Sequence, residues 1–97
     1  MIEYSRSNPV TDKTILIYGT TWCGDCRRAR RYLDQNQIPY NFINIDMDKD
    51  AEQFVLTTNK GYRSVPTIVF TDGSILVEPS NKKLAEKLNI KFEPFHF

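Results

Sequence analysis

The chain has 97 residues, 40% of them hydrophobic and 26% charged, and its formal net charge is +1 at pH 7. This length suffices for one domain, which we expect to span residues 1–97, and the balanced charge gives no reason to expect nucleic acid or a membrane as a partner. The N-terminal residues lack the basic stretch and apolar core of a signal peptide, and no apolar run approaches the roughly 20 residues that cross a bilayer. We therefore expect a cytoplasmic protein, and we expect it to be a monomer.

After a polar lead-in over residues 1–13, the chain is predicted to form a buried strand at 14–18, where β-branched and apolar residues follow one another. A helix over about 24–36 is predicted next, because apolar residues at helical spacing define one of its faces: Cys26, Ala29 and Leu33. Four arginines lie mainly on the other faces: Arg27, Arg28, Arg30 and Arg31. We interpret them as a solvated surface, and we expect Arg27, like Arg63 farther along the chain, to be an exception. The alternative is that they attract the carboxylates of a thiol cofactor and favour a thiolate.

The middle of the chain is predicted to contain a second strand and a second helix. The strand covers residues 40–45, after Pro39 has blocked continuation of the first helix. Asp48 is a suitable N-cap for the second helix, whose apolar residues again recur at helical spacing. Asn59-Lys60-Gly61 is predicted to end this helix with a glycine stop.

The last part of the chain is predicted to form a hairpin and a third helix. Residues 67–70 and 75–77 are predicted strands, and Asp72-Gly73 between them is typical of a hairpin turn. Ser80 or Asn81 is expected to cap a helix over 82–89. We expect the tail at 91–97 to pack its phenylalanines back on the body: Phe92, Phe95 and Phe97.

The predicted order β-α-β-α-β-β-α indicates an α/β fold. Two strands joined by a helix should be parallel with a right-handed crossover, and the terminal hairpin should add an antiparallel edge. A four-stranded mixed sheet with helices on both faces would bury the apolar strands.

Both cysteines of the chain lie in one motif, Cys23-Gly24-Asp25-Cys26, between the first predicted strand and the first predicted helix. The first sulfur is thereby placed at a helix N-terminus, where exposed N–H groups and the helix dipole favour thiolate over thiol. We predict that Cys23 attacks disulfides. Cys26, one turn later on the apolar face, is predicted to be less exposed, to have a raised pKa and to resolve the mixed disulfide. The alternative is an inert or static pair, but a single closely spaced pair in the cytosol favours transient, catalytic use.

Trp22 before the first cysteine, Ser64-Val65-Pro66 about 40 residues later and the order of elements complete a wider pattern. This pattern resembles the glutaredoxin branch of the thioredoxin fold, over a core of about 14–89. Within that branch, the segments 63–67, 70–74 and 79–80 are similar to those of mycoredoxins and glutaredoxin-like hydrogen-donor proteins.

The resemblance implies roles for six further residues. Pro66 is expected to be the cis-proline that faces the cysteine pair, which leaves the backbone of Val65 free to pair with an extended substrate. Trp22 is expected to shield the sulfurs and to offer a flat contact surface, and the alternative is a merely structural aromatic residue. Contacts with the substrate or the thiol are also expected from Thr21, Arg63 and Ser80.

The resemblance to glutathione-dependent members is incomplete at three places. Such proteins typically carry Pro-Tyr between their cysteines, a basic residue shortly before the first cysteine, and a Gly-Gly pair before an acidic residue. This chain instead carries Gly24-Asp25, Thr20-Thr21 and Glu78-Pro79-Ser80-Asn81. The low-molecular-weight thiol that serves as co-substrate is therefore left open between mycothiol and glutathione.

We predict a dithiol oxidoreductase without a bound cofactor, which reduces protein disulfides or mixed disulfides with a low-molecular-weight thiol and serves redox homeostasis and electron transport. Electrons would return from the thiol pool or from a flavin-dependent reductase. One alternative is a hydrogen donor to ribonucleotide reductase that thioredoxin reductase recharges. Another is a binding protein in which Cys23 and an external thiol hold an iron–sulfur cluster across a dimer. A zinc site is not expected, because His96 is the only histidine and ligands at regular spacing are missing.

Overall fold

The computed structural model describes residues 14–92, so the predictions for residues 1–13, Phe95 and Phe97 lie outside the described residues. The described residues form four strands and three helices in the predicted order. These elements are β1 (Ile15–Gly19), α1 (Gly24–Gln35), β2 (Tyr40–Asn44), α2 (Lys49–Thr58), β3 (Thr67–Val69), β4 (Ile75–Val77) and α3 (Asn81–Leu88). Within this part of the chain, no helix has both the length and the apolar character that crossing a membrane requires.

The four strands form one mixed sheet in the order β2-β1-β3-β4, which confirms the predicted architecture. β1 and β2 run parallel, with Ile17 opposite Phe42, and α1 connects them. β3 runs antiparallel to β1 and to β4, and the Gly73 N–H donates to the Phe70 carbonyl at 2.9 Å in the hairpin turn. Because the carboxyl ends of β1 and β2 lie at the same edge of the sheet, the loops that follow these strands come together there.

Helices cover both faces of the sheet, and each face has its own apolar core. The face beneath α1 and α3 holds the larger core, to which strands and helices contribute fully buried residues: Ile17, Leu33, Ile68 and Leu84. The opposite face packs against α2 through a smaller set: Ile45, Ala51 and Val55. The larger core holds α1 on the sheet, and with it the cysteine motif at the start of that helix.

Side-chain caps begin all three helices. Asp48 accepts a backbone N–H of the first turn of α2 at 3.0 Å, and Ser80 accepts one of the first turn of α3 at 3.1 Å. The predicted cap at Asp48 is confirmed. Of the two candidates for the third helix, Ser80 is the cap, so α3 begins at Asn81, one residue before its predicted start. The cap of α1 is Cys23.

The stop predicted after the second helix is also confirmed. The Gly61 N–H donates to the Leu56 carbonyl at 2.7 Å, and both Lys60 and Gly61 have positive φ angles, 57° and 91°. Two successive left-handed residues reverse the chain direction, and glycine takes this backbone without steric cost. The chain thereby leaves α2 for the loop that carries Arg63 and Val65.

The arginines of α1 are not uniformly solvated, in contrast to the interpretation from the sequence. Arg28 donates from Nη1 to Asn81 Oδ1 at 2.7 Å and from Nη2 to the Pro79 carbonyl at 2.9 Å. The guanidinium carbon of Arg30 lies 4.0 Å from the centroid of the Phe42 ring. Long side chains at the border of a buried face can lie along neighbouring elements instead of extending into water. Arg28 therefore connects α1 to the start of α3, and the Arg30 guanidinium packs on Phe42 of β2.

Replacing Leu33 by alanine should lower the free energy of unfolding by about 2–5 kcal/mol, because a fully buried leucine leaves a cavity when it is truncated. Urea denaturation followed by circular dichroism measures this loss. Met47→Ala is the control, because Met47 is 83% exposed and its truncation should change stability by less than about 0.5 kcal/mol. Equal losses in the two variants would contradict the place of Leu33 in the core.

Candidate active site

Cys23 lies where the chain passes from β1 into α1, and it is the N-cap of that helix. Its backbone is extended, with φ −81° and ψ 122°, and its Sγ accepts the backbone N–H of Cys26 at 3.2 Å. A sulfur thus takes the place that a serine or aspartate oxygen occupies at other helix N-termini, against the positive end of the helix dipole. The residue is only partly buried.

Cys26 follows one turn later on the inner face of α1, and it is fully buried. Burial, and after it the hydrogen bond with the Cys23 side chain, raises the pKa of the Cys26 thiol well above its ordinary value. A hydrogen bond from the Thr20 backbone N–H acts in the opposite direction and is outweighed. The predicted burial and raised pKa of Cys26 are confirmed, and both cysteines are free thiols in the structure.

Val65 and Pro66 approach the cysteines from the loop before β3. The peptide bond between them is cis, as predicted, and Pro66 is buried. The Val65 carbonyl oxygen lies 3.9 Å from Cys23 Sγ, whose thiol points toward it. The Pro66 carbonyl accepts the Glu78 N–H at 2.8 Å, which attaches this loop to the end of β4. Among residues 14–92, the Val65 N–H takes part in no backbone hydrogen bond of a turn or loop.

A set of polar contacts surrounds the residue before Cys23. Trp22 is 65% exposed, and its indole Nε1 donates to Asp46 Oδ2 at 2.8 Å. Arg63 donates from Nη2 to the other carboxylate oxygen of Asp46, and from Nε to Glu52 Oε2 at 2.7 Å. These contacts join the loop after β1, the loop after β2 and the loop before β3 at the sheet edge that carries Cys23.

The other predicted contact residues lie around this centre. Thr21 is exposed in the loop before Cys23. Ser80 caps α3 and stands two residues after Glu78, the partner of the Pro66 loop. The structure therefore brings Cys23, Cys26 and Val65 together: Cys23 Sγ accepts the Cys26 N–H at 3.2 Å and lies 3.9 Å from the Val65 carbonyl oxygen. Pro66 follows Val65 across the cis peptide bond, and Trp22 directly precedes Cys23. The hydrogen bonds found for Ser80 and Arg63 join them to other protein groups, and their contacts with a substrate or thiol stay predictions.

Asp46 is the site residue that was not predicted from the sequence. It stands two residues after the end of β2, and Trp22 stands three residues after the end of β1. Because these strands are parallel neighbours, residues just beyond their carboxyl ends meet at one edge. That parallel pairing was the signal that could have identified Asp46. In residues 14–92, no group of three or more histidine, cysteine or acidic side chains is arranged to hold a metal ion.

The contact between Trp22 and Asp46 should be lost in acid. Hydrogen bonds from Arg63 and then Trp22 hold the pKa of the Asp46 carboxyl below its ordinary value of 3.8. Because the pKa is lowered in the folded state, the contact should persist above pH 3.8 and disappear as the pH falls below that value. Trp22 is the only tryptophan, so a fluorescence titration measures this transition. Asp46→Asn is the control that should lack it, with circular dichroism marking global unfolding; a wild-type transition above pH 3.8 would contradict the contact.

Known proteins share this sequence pattern. Residues 15–75 match the family model Glutaredoxin. A protein of Mycobacterium tuberculosis named as a glutaredoxin is 42% identical over 74 residues, which cover 76% of this chain and 88% of that protein. Mycoredoxin 1 of Corynebacterium glutamicum is 34% identical over 74 residues, which cover 76% of this chain and 91% of that protein.

Solved structures share the fold. A mutant form of the thioredoxin-like protein BC3987 matches with a TM-score of 0.71 and 29% identity, and the match covers 81% of this chain and 99% of that one. The family match spans most of the chain and includes both cysteines. The chain therefore belongs to the glutaredoxin family and is a thiol–disulfide oxidoreductase.

Proposed function

We propose that Cys23 is the attacking thiolate and Cys26 the resolving thiol of a dithiol glutaredoxin that reduces protein disulfides and mixed disulfides between a protein and a low-molecular-weight thiol. The asymmetry of the pair carries this proposal. Cys23 is partly exposed at the start of α1, and its sulfur accepts a hydrogen bond from the backbone N–H of Cys26. Cys26, in contrast, is fully buried and has a raised pKa. The first environment suits attack on an external disulfide, and the second suits an intramolecular step.

In the first step, the Cys23 thiolate attacks one sulfur of the substrate disulfide. A bond forms between Cys23 and that sulfur, and the other substrate sulfur leaves as a thiolate that takes up a proton. The backbone N–H of Cys26 donates a hydrogen bond to the Cys23 sulfur, which lies at the positive end of the dipole of α1. The product is a mixed disulfide on Cys23.

In the second step, Cys26 attacks the Cys23 sulfur, or a second small thiol attacks the other sulfur of the mixed disulfide and releases Cys23 as a thiolate that takes up a proton. When Cys26 attacks, its thiol loses a proton, the disulfide between Cys23 and Cys26 forms, and the substrate leaves as a thiol, so two electrons have passed to the substrate. Two molecules of the low-molecular-weight thiol then return two electrons to the pair: the first forms a mixed disulfide with one cysteine, and the second attacks that thiol's sulfur, so that both leave as their own disulfide. The raised pKa keeps Cys26 neutral while Cys23 reacts with the incoming disulfide, so the two sulfurs act in order.

The backbone of Val65 would orient the substrate. Its carbonyl oxygen lies 3.9 Å from Cys23 Sγ, and its N–H takes part in no turn or loop backbone hydrogen bond among residues 14–92. An extended substrate segment would pair with this backbone as a strand pairs with a sheet edge, which sets its sulfur beside Cys23. We assign Thr21, Trp22 and Pro66 to the surface that contacts the substrate, and Arg63 and Ser80 to the border of that surface.

We propose mycothiol as the low-molecular-weight thiol, with glutathione as the alternative. Glutathione carries free carboxylates that a binding site must match with cations, whereas mycothiol carries none. The Arg63 guanidinium already donates hydrogen bonds to the carboxylates of Asp46 and Glu52. The name of the relative mycoredoxin 1 supports the same choice.

We further propose that the chain acts as a monomeric single domain in the cytoplasm, where it serves redox homeostasis and electron transport. One closely spaced cysteine pair, with no other cysteine in the chain, is typical of the transient catalytic disulfides found in that compartment. Sedimentation equilibrium on the reduced protein tests the monomer.

The two cysteines should separate in a trapping experiment. Cys26→Ser, incubated with a peptide that carries a mixed disulfide, should accumulate one adduct on Cys23, because the attacking thiol remains and the resolving thiol is missing. Cys23→Ser should show neither adduct nor turnover. Mass spectrometry of the intact proteins measures both results. Full activity of Cys23→Ser would contradict the assignment of the attacking sulfur.

The reducing system should distinguish the candidate thiols. In assays coupled to NADPH oxidation, we expect kcat/KM with mycothiol and its reductase to exceed that with glutathione and its reductase by at least about tenfold, or about 1.4 kcal/mol. A third assay supplies thioredoxin reductase alone. The fastest recharging by that enzyme would favour a dedicated hydrogen donor. A preference for glutathione would reject mycothiol and leave the exchange mechanism intact.

A further inference from the structure

The end of β1 has room for the Cys26 sulfur because residue 19 is a glycine. A Cβ atom at Gly19 would lie 2.6 Å from Cys26 Sγ, 3.3 Å from Cys26 Cβ and 3.2 Å from Phe42 Cε1. Non-bonded heavy atoms pack at about 3.5–4.0 Å, so the sulfur would have to move. Gly19 does not have a positive φ, and its lack of a side chain therefore matters here more than its conformational freedom.

The same segment also holds the sulfur through a hydrogen bond. The backbone N–H of Thr20 bonds to Cys26 and favours its thiolate, against the larger effect of burial. Thr20 follows Gly19 directly, so a sulfur displaced from Gly19 would also move away from this N–H. Cys26 is fully buried, and a close-packed interior offers a displaced sulfur little alternative space.

We propose that Gly19 is a positioning residue for the resolving step: its missing side chain lets the Cys26 sulfur lie against the end of β1, within reach of both the Thr20 N–H and Cys23. This inference rests on the proposed function. In the step concerned, Cys26 loses its proton and bonds to the Cys23 sulfur, the bond between Cys23 and the substrate breaks, and the substrate sulfur leaves as a thiolate that takes up a proton. No further oxidant or reductant is needed.

Replacing Gly19 by alanine should change how the mixed disulfide is cleared and should leave the reactivity of Cys23 intact. With alanine at position 19, Cys23 keeps its place at the start of α1 and still forms the mixed disulfide. Cys26 no longer has its sulfur in line with Cys23, so an external thiol must clear the mixed disulfide. The residue at position 19 therefore determines whether the two-cysteine route or the one-cysteine route predominates.

A stopped-flow experiment with an aromatic disulfide of thionitrobenzoate separates the two steps. Attack by Cys23 releases the first coloured thiolate, and attack by Cys26 releases the second. In Gly19→Ala we expect the first phase to stay within about twofold of wild type and the second to slow by about tenfold to a hundredfold, since small displacements of reacting groups cost this much. Cys26→Ala should lack the second phase, and adding Gly19→Ala to it should leave the first phase unchanged.

Stability gives a second readout that does not depend on turnover. Gly19→Ala should lower the urea midpoint, and the loss should be smaller in a Cys26→Ala background, where the nearest contact atom is gone. If Gly19→Ala alone does not fold, this background still reports the contact, because the double variant should fold. Gly24→Ala is the control for an added methyl group, because a Cβ there meets nothing within 4 Å and should not lower the midpoint.

A second phase as fast in Gly19→Ala as in wild type would overturn the proposal. Equal destabilisation by Gly19→Ala with and without the Cys26 sulfur would overturn it as well, because Phe42 rather than Cys26 would then be the neighbour that matters. Absence of the first phase in the wild-type protein would instead contradict the proposed function. The two failures are therefore distinguishable.

Discussion

The spacing of two sulfurs over the first turn of α1 is the constraint on which the rest of the site depends. Cys23 is the N-cap and Cys26 lies three residues later, so one side chain folds back over the helix end while the other enters the core. The burial of Ala29 and Leu33 on the same helix determines which face turns inward. Packing that buries Cys26 therefore also leaves Cys23 at the surface, and two identical functional groups acquire different chemistry from their surroundings.

The parallel pairing of β1 with β2 determines which loops lie around Cys23. It places the loop of Asp46 beside that of Trp22, and Arg63 joins the third loop to the same carboxylate. Exposed ion pairs of this kind add little to stability. Their effect is better understood as orientation, because they hold the indole next to Cys23 and the loop that leads to Val65. The site is thus formed by short loops at one edge of the sheet, with Cys23 and Cys26 at the start of α1 and the Val65 carbonyl oxygen 3.9 Å from Cys23 Sγ.

The elements were predictable because their signals are local. Apolar runs, capping residues and a turn dipeptide each act within a few positions, and the error at the start of α3 is one residue, since Ser80 is the cap and Asn81 the first helical residue. The cysteine site was predictable for the same reason. Contacts of long side chains were not, because Arg28 reaches Asn81 across 53 positions and Trp22 reaches Asp46 across 24. Those contacts depend on which elements pack together, and a flexible side chain at the border of a face can turn toward water or toward a neighbour.

The residue that precedes Cys26 shows how the order of the two steps is supported by charge. Asp25 lies in the first turn of α1, and its side chain is more than half exposed. Its Oδ1 lies 3.6 Å from Nη2 of Arg28. An acid at this place suits the helix dipole, so it stabilises the helix start that holds the Cys23 sulfur. Its charge also contributes to the raised pKa of Cys26, although less than burial and the hydrogen bond with Cys23 do. The first effect keeps the helix start formed, and the second helps to keep the Cys26 thiol neutral. A neutral residue at position 25 would weaken both effects, although burial, the larger cause, would still keep Cys26 protonated.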